Sequence, residues 1–259
     1  MKILNVLVLT ASGLLAGCSG TTGNGGGNID SKAPDTDAQQ RARLFTELAG
    51  AYFERAQYKI ALEELRKAVT ADSRFGPAYN VYGLVYMELA EDKLAEEYFR
   101  RAIELDARDS IAHNNFGWFL CTRGRYDEGL SHFQLALRNP LYATPEQAIA
   151  NAGMCAERKG DLTLAETNLL KSLKLRPDNP NVILKLAGLQ FRQGRLAEAR
   201  GNLLRYAELA PASAESLWLG VRLERKLGDR SQEAAYGLQL RRNFPKSPEA
   251  QLLLAGQYE

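Results

Sequence analysis

The chain has 259 residues and a formal net charge of +2, from 33 basic and 31 acidic side chains. Because the charges balance and no run of one sign stands out, the composition argues against a nucleic-acid-binding protein and against a disordered acidic tail. The hydrophobic fraction of 45% is ordinary for a folded chain, and the length allows one or two domains.

Residues 1–17 have the features of a bacterial lipoprotein signal peptide. Lys2 supplies a positive charge, and residues 3–15 form an apolar segment that is too short to cross a bilayer permanently. The segment ends in Leu-Ala-Gly-Cys at residues 15–18, which resembles the lipobox at which a cysteine thiol is joined to diacylglycerol. We therefore expect lipidation of Cys18, and the alternative is an ordinary secretory signal with a chance cysteine.

The lipid on Cys18 is expected to hold the protein at the periplasmic face of the outer membrane. Each buried acyl CH₂ contributes about 0.8 kcal/mol, so two or three acyl chains would make release negligible. The residue after the cysteine is Ser19 and not aspartate. By resemblance to lipoprotein sorting in Gram-negative bacteria, this implies the outer membrane. Residues 18–40 are rich in Gly, Ser, Thr and Asp, which predicts a flexible tether.

From residue 41 onward, small and large side chains recur with a period near 34 residues. In residues 76–109, Gly83 and Ala95 lack bulk where two amphipathic helices must touch, and Phe99 fills the space beside them. The small pair has counterparts at Ala49/Ala61, Gly117/Gly129, Gly153/Ala165 and Ala187/Ala199. One hairpin cannot bury its apolar face alone, so repeated hairpins are expected to stack around a continuous core.

This period and pattern are typical of the tetratricopeptide repeat (TPR), a helical hairpin of about 34 residues. We expect an all-α, right-handed superhelical solenoid over residues 41–259, with about six repeats and a C-terminal capping helix. The predicted repeats are residues 42–75, 76–109, 110–143, 146–179, 180–213 and 214–247. Pro140 and Pro145 predict a longer connection after the third repeat. Ser247 and Pro248 predict the start of a last short helix that ends at Leu254.

Three stretches depart from the generic repeat. They are residues 105–120, the Pro-Leu-Tyr sequence at 140–142, and residues 235–245 with a Tyr-Gly pair at 236–237. With the lipobox and the tether, these stretches resemble the type IV pilus pilotin family, the pilus biogenesis and stability lipoproteins. The resemblance covers nearly the whole chain from Cys18. It implies an outer-membrane protein that binds the pilus secretin subunit and promotes its outer-membrane localisation and its multimerisation into the pilus pore.

The first helices of a TPR solenoid line a concave groove, and helical geometry decides which side chains point into it. We predict a partner-binding groove over the first four repeats, formed by Phe53, Asn80, Met87, Asn114, Trp118 and Met154. The aromatic and methionine side chains would form an apolar floor, and the amides could hold a peptide backbone. The alternative is that these side chains pack against neighbouring helices.

Two cysteines and two histidines remain to be placed. Cys121 and Cys155 lie at the same level of successive first helices. We expect buried free thiols there, because helix axes usually lie about 8–10 Å apart whereas a disulfide needs Cα atoms within about 7 Å. An oxidising periplasm leaves a disulfide as the alternative. His113 and His132 have no Cys, Asp or Glu at ligand spacing, which argues against a metal site.

The sequence contains no motif of a nucleophilic, metal-dependent or nucleotide-binding enzyme. We therefore expect a protein-interaction module without enzymatic activity, without a cofactor or metal, and without a small-molecule substrate. The resemblance favours a pilotin whose partner is the secretin subunit. The alternative is a TPR lipoprotein that serves as a scaffold for another envelope assembly or for a cell-wall enzyme complex.

Overall fold

The computed structural model describes residues 36–258, and in that part of the chain every regular element is an α-helix. The helices are α1 (Asp37–Glu54), α2 (Tyr58–Ala71), α3 (Gly76–Glu88), α4 (Asp92–Leu105), α5 (Ser110–Thr122), α6 (Tyr126–Ala136), α7 (Pro145–Lys159), α8 (Leu162–Leu175), α9 (Pro180–Arg192), α10 (Leu196–Leu209), α11 (Ala214–Leu227), α12 (Arg230–Asn243) and α13 (Pro248–Leu254). Cys18, the signal peptide and most of the predicted tether lie outside the described residues.

The helices form six consecutive hairpins, α1/α2 to α11/α12, and α13 packs against α11 and α12 at the end. Each first helix also contacts the first helix of the next hairpin, whereas the backbones of the second helices of successive hairpins, over residues 36–258, have no Cα atoms within 8 Å of one another. The first helices therefore line the inner side of the stack, which we call the first-helix face. This all-α solenoid with a terminal capping helix is the predicted fold.

Helix α1 starts earlier than the composition indicated. It begins at Asp37, inside the stretch predicted to be tether, because Thr36 and Gln39 form a capping box. The Gln39 amide donates to the Thr36 hydroxyl at 3.2 Å, and the Thr36 amide donates to the Gln39 side chain at 2.9 Å. These reciprocal bonds satisfy amides that would otherwise lack a partner at the helix start.

The small residues of the repeat lie where paired helices approach most closely. A Cβ atom on Gly83 would lie 2.6 Å from a ring carbon of Phe99, and one on Gly117 would lie 2.9 Å from the carbonyl oxygen of Gly129. All four residues are buried. Because real Cβ atoms do not approach other atoms so closely, these positions admit only glycine unless a neighbouring ring or helix shifts.

The turns between paired helices differ along the chain. Ala56 and Ala90 adopt left-handed φ values of 55° and 58° in the first two hairpins. At the corresponding turn each of the four later hairpins has a glycine with positive φ, namely Gly124, Gly160, Gly194 and Gly228. An alanine in this conformation costs about 1 kcal/mol relative to glycine, so the first two turns are strained.

Ion pairs connect successive hairpins. Arg125 contacts Glu96 of the preceding hairpin at 2.7 Å and Glu128 of its own hairpin at 2.7 Å. Arg195, which stands 70 residues later, makes the same kind of contact to Glu166. These partly exposed pairs add little stability individually, but they fix the register between neighbouring hairpins.

The predicted irregularities are confirmed. The third hairpin ends at Ala136, and the next helix begins only at Pro145, so this connection is the longer one expected from the two prolines. In it Leu141 is 87% exposed. At the other end, the Ser247 side chain accepts a hydrogen bond from the Ala250 amide and caps α13. Among residues 36–258, none of the helices combines the length and apolar character needed to cross a bilayer.

Replacing Gly83 by alanine should destabilise the solenoid, because the new methyl group would overlap the buried Phe99 ring. We expect a loss of about 1–3 kcal/mol, measured as a lower midpoint of urea or thermal unfolding. Gly201→Ala is the matched control, since Gly201 is an exposed residue of α10 with no other residue within 4 Å of its Cβ position. That change should raise stability by about 0.5–1 kcal/mol. Equal midpoints for the two variants would contradict the proposed role of Gly83.

Candidate protein-binding groove

The residues predicted to form the groove floor lie on four successive first helices. Phe53, Met87, Trp118 and Met154 belong to α1, α3, α5 and α7, and all are half-buried. Each packs against a different core cluster of its own part of the solenoid. The Trp118 ring also lies under the Arg158 guanidinium, whose carbon is 5.1 Å from the ring centroid. Their contact with a partner stays a prediction.

The two asparagines of the predicted groove are more enclosed than expected. Asn80 and Asn114 are buried, and their side-chain oxygens accept hydrogen bonds from Asn115 at 3.1 Å and from Asn151 at 3.0 Å. These bonds connect α3 to α5 and α5 to α7. The amides therefore serve contacts between first helices, and their burial argues against the direct peptide contact that we predicted.

The expectation of free thiols was wrong. Cys121 of α5 and Cys155 of α7 form a disulfide, with Cα atoms 5.7 Å apart. The axis spacing was the wrong measure, because Cα atoms lie on a cylinder of radius about 2.3 Å around each axis. Two Cα atoms that face each other are therefore about 4.6 Å closer than the axes, within reach of a disulfide. The bond joins the third and fourth hairpins across the irregular connection.

The histidines also meet, which the sequence did not indicate. His113 Nδ1 lies 2.9 Å from His132 Nδ1, and His113 Nε2 lies 3.2 Å from the Ala107 carbonyl oxygen. A carbonyl oxygen only accepts, so Nε2 of His113 carries the hydrogen and His132 donates from Nδ1. Burial, the neighbouring His113 and the positive charge of Arg100 lower the pKa of His132 to about 4. The His132 ring is therefore neutral at pH 7.

A pocket of about 190 Å³ lies farther along the first-helix face, over α7, α9 and α11. It is lined by Glu157, Leu184, Lys185, Gly188, Phe191, Arg192, Glu215, Trp218, Leu219 and Arg222. We did not predict this pocket, although the repeat period could have located it. Gly188 stands 34 residues after Met154, which belongs to the predicted groove.

Charged side chains of this pocket are paired between first helices. Arg192 contacts Glu157, and Lys185 Nζ lies 2.7 Å from a Glu215 carboxylate oxygen. The Arg222 guanidinium lies over the Phe191 ring, 4.8 Å from its centroid. Burial and the positive charge of Arg222 lower the pKa of Arg192. In the described part of the chain, we find no group of three or more His, Cys, Asp or Glu side chains placed to bind a metal.

Comparison with known proteins identifies the repeat and the family. Sequence profiles of the tetratricopeptide repeat match residues 76–109, 93–148 and 151–214. The solved structure of Pseudomonas aeruginosa PilF is 30% identical, has a TM-score of 0.75, and covers 85% of this chain and 100% of that chain. PilW, described as a widely conserved type IV pilus biogenesis factor, is 32% identical with a TM-score of 0.77, covering 83% and 99% respectively.

The chain belongs to the PilF/PilW family. Its curated relative, the type IV pilus assembly protein PilF of Pseudomonas aeruginosa, is 30% identical over 193 residues. The match spans 74% of this chain and 63% of that relative. The predicted resemblance is thus confirmed for a PilF/PilW-type TPR protein of type IV pilus biogenesis.

Removing the disulfide should destabilise this PilF/PilW-family solenoid. A bond that closes a loop of 34 residues lowers the conformational entropy of the unfolded chain. This stabilises the folded state by about 4 kcal/mol at most. We expect Cys121→Ala/Cys155→Ala to lower the unfolding midpoint, and dithiothreitol to do the same to the native chain. The reductant should have no further effect on the double variant. Reaction of both thiols with a thiol reagent in the denatured, unreduced chain would contradict the disulfide.

Acid should destabilise the fold through the histidine pair. Because the folded pKa of His132 lies below the ordinary value of 6.5, unfolding takes up a proton between these two values. The contribution of neutral His132 to the free energy of unfolding is complete above pH 6.5 and decreases as the pH falls towards 4. We expect the melting temperature to fall more between pH 7 and pH 4.5 in the native chain than in His132→Gln. Parallel curves for both proteins would refute this assignment.

Proposed function

We propose that this protein is a pilotin, a lipid-anchored outer-membrane protein that binds the type IV pilus secretin subunit. In this role it carries the subunit to the outer membrane and promotes its multimerisation. It acts by binding and not by catalysis. The lipid on Cys18 places it at the periplasmic face, and residues 19–36 connect the lipid to the first hairpin.

The observation that carries this proposal is the match of the whole solenoid to PilF and PilW. About five-sixths of this chain and nearly the full length of both solved chains superpose at 30–32% identity. The shared part includes the first-helix face, which is the surface on which a stack of hairpins can hold an extended or helical segment. Support for the anchor comes from the lipobox sequence at residues 15–18.

The first-helix face is suited to a protein ligand. Half-buried Met87, Trp118 and Met154 expose part of an apolar side chain on three successive helices. Methionine adapts its shape to a partner, and tryptophan supplies a large rigid contact. The Asn114–Asn151 hydrogen bond and the disulfide hold α5 and α7 together beneath them. A preorganised surface of this kind loses little conformational entropy when a partner binds.

Deletion of the gene should abolish heat-stable secretin multimers in the outer membrane and abolish twitching motility. Complementation with the native gene should restore both. A Cys18→Ser variant should remain folded but leave the outer-membrane fraction, because the acyl chains that hold it are absent. Secretin multimers that form normally without the protein would refute the pilotin role, and a Cys18→Ser protein that stays at the outer membrane would refute the anchor.

The groove is tested by the double variant Trp118→Ala/Met154→Ala, checked for folding by circular dichroism. We expect at least tenfold weaker capture of secretin fragments, since large apolar anchors dominate such interfaces. Leu141→Ala is the matched control, because Leu141 is more exposed but lies in the connection between α6 and α7. A stronger effect of Leu141→Ala would move the binding surface to that connection.

A further inference from the structure

The chain returns to its own first-helix face after α13. The Tyr258 ring stacks on Trp218 of α11, with centroids 5.8 Å apart and planes inclined by 23°. The Arg225 guanidinium also lies over the Tyr258 ring, with its carbon 3.8 Å from the centroid. Arg222 donates from Nε to the Tyr258 carbonyl oxygen at 3.0 Å. One residue is thus held by its aromatic ring and by its backbone.

Two of the side chains that hold Tyr258 also belong to the neighbouring pocket. Trp218 and Arg222 also line the pocket over α7, α9 and α11, so the tyrosine lies beside one end of it. If Tyr258 served only to cover the apolar end of the solenoid, contacts to its ring would be sufficient. The carbonyl contact from Arg222 is instead the kind of bond by which a groove holds an extended peptide. The rest of the pocket lies open next to this segment.

The open part of the pocket favours an acidic group. Lys185, Arg192 and Arg222 line it against two carboxylates, those of Glu157 and Glu215. Arg192 is partly desolvated and faces the like charge of Arg222, which together lower its pKa. A carboxylate placed between these guanidinium groups would offset the repulsion and could form charge-assisted hydrogen bonds with both. The existing ion pairs are partly exposed and so exchange at little cost.

We propose that the face of α9 and α11 binds an extended segment of a partner protein in which an aromatic side chain neighbours an acidic one. The aromatic ring takes the place between Trp218 and Arg225, and the carboxylate enters the pocket at Arg192 and Arg222. Tyr258 is the resident occupant of the aromatic position and must leave when the partner binds. This site lies next to the groove of the first four hairpins, with which it shares α7, and does not depend on the identity of the pilus partner.

The probe is a fluorescein-labelled, amidated peptide with the sequence Leu-Ala-Gly-Gln-Tyr-Glu, which repeats residues 254–259 and carries the required pair. Fluorescence anisotropy is measured with the full chain and with Tyr258→Ala. A tethered segment competes at an effective concentration near the millimolar range, so the native chain should bind the peptide weakly. We expect Tyr258→Ala to bind at least tenfold more tightly. Equally weak binding to both proteins would overturn the proposal.

Two further variants locate the site, each made in the Tyr258→Ala chain and checked by circular dichroism. Arg225→Ala should weaken peptide binding about tenfold, the upper range for loss of a cation–π contact. Arg242→Ala is the control, because this arginine is exposed on α12 away from the pocket residues, and it should leave binding unchanged. A peptide with serine in place of tyrosine should not bind. Binding that survives Arg225→Ala and the serine peptide would also overturn the proposal.

The same site can be tested with Tyr258 in place, in case its replacement disturbs the last helix. Arg222→Ala in the otherwise native chain removes the bond to the Tyr258 carbonyl and one wall of the pocket. We expect this variant to bind the peptide no better than the native chain, even though its tail is released. Tight binding by Arg222→Ala would show that the peptide uses another surface.

Discussion

The solenoid depends on contact between paired helices at positions where a side chain is missing. The Gly83 backbone rests on the Phe99 ring, and the backbones of Gly117 and Gly129 approach each other directly. This close approach fixes the distance between the two helices of a hairpin. Aromatic rings such as that of Phe99 fill the space beside the contact. Four hairpins have such a glycine in the first helix, and the first and fifth have the small residues Ala49 and Ala187 there, so each hairpin can pair closely. The links between them, and the face that they form, follow from that regularity.

Most of the architecture could be predicted because it rests on local patterns. The recurring Gly and Ala residues give the register of each hairpin. Prolines predict the irregular connection, and Ser247 predicts the start of the last helix. Local composition was misleading only at the first helix, where Thr36 and Gln39 cap a stretch that otherwise reads as tether. A capping box requires only two residues, so it is easily hidden among Ser, Thr, Asp and Gly.

The contacts that could not be predicted join side chains on neighbouring hairpins. Cys121 and Cys155 were placed at the same level, but average axis spacing does not decide a bond that depends on an ångström of Cα separation. His113 and His132 stand 19 residues apart on paired helices, and the sequence pattern does not show that their rings meet between α5 and α6. Asparagines of the groove were expected to face a ligand, and only the neighbouring Asn115 and Asn151 reveal their use. The disulfide, the histidine contact and the asparagine hydrogen bonds all depend on side-chain rotamers and on the rotation of each helix about its axis. The repeat period of the sequence does not specify either.

The links between first helices change in character along the stack, and this bears on binding. Between α3, α5 and α7 they are partly buried hydrogen bonds between asparagine side chains, and a disulfide also joins α5 to α7. Between α7, α9 and α11 they are partly exposed ion pairs, Glu157–Arg192 and Lys185–Glu215, which add little stability and can exchange their partners. In the binding that we propose, the first part of the face would therefore act as a fixed surface with mainly apolar contacts. The last part would offer charges to an incoming carboxylate, so the two proposed sites differ in the chemistry of the segment that each would accept.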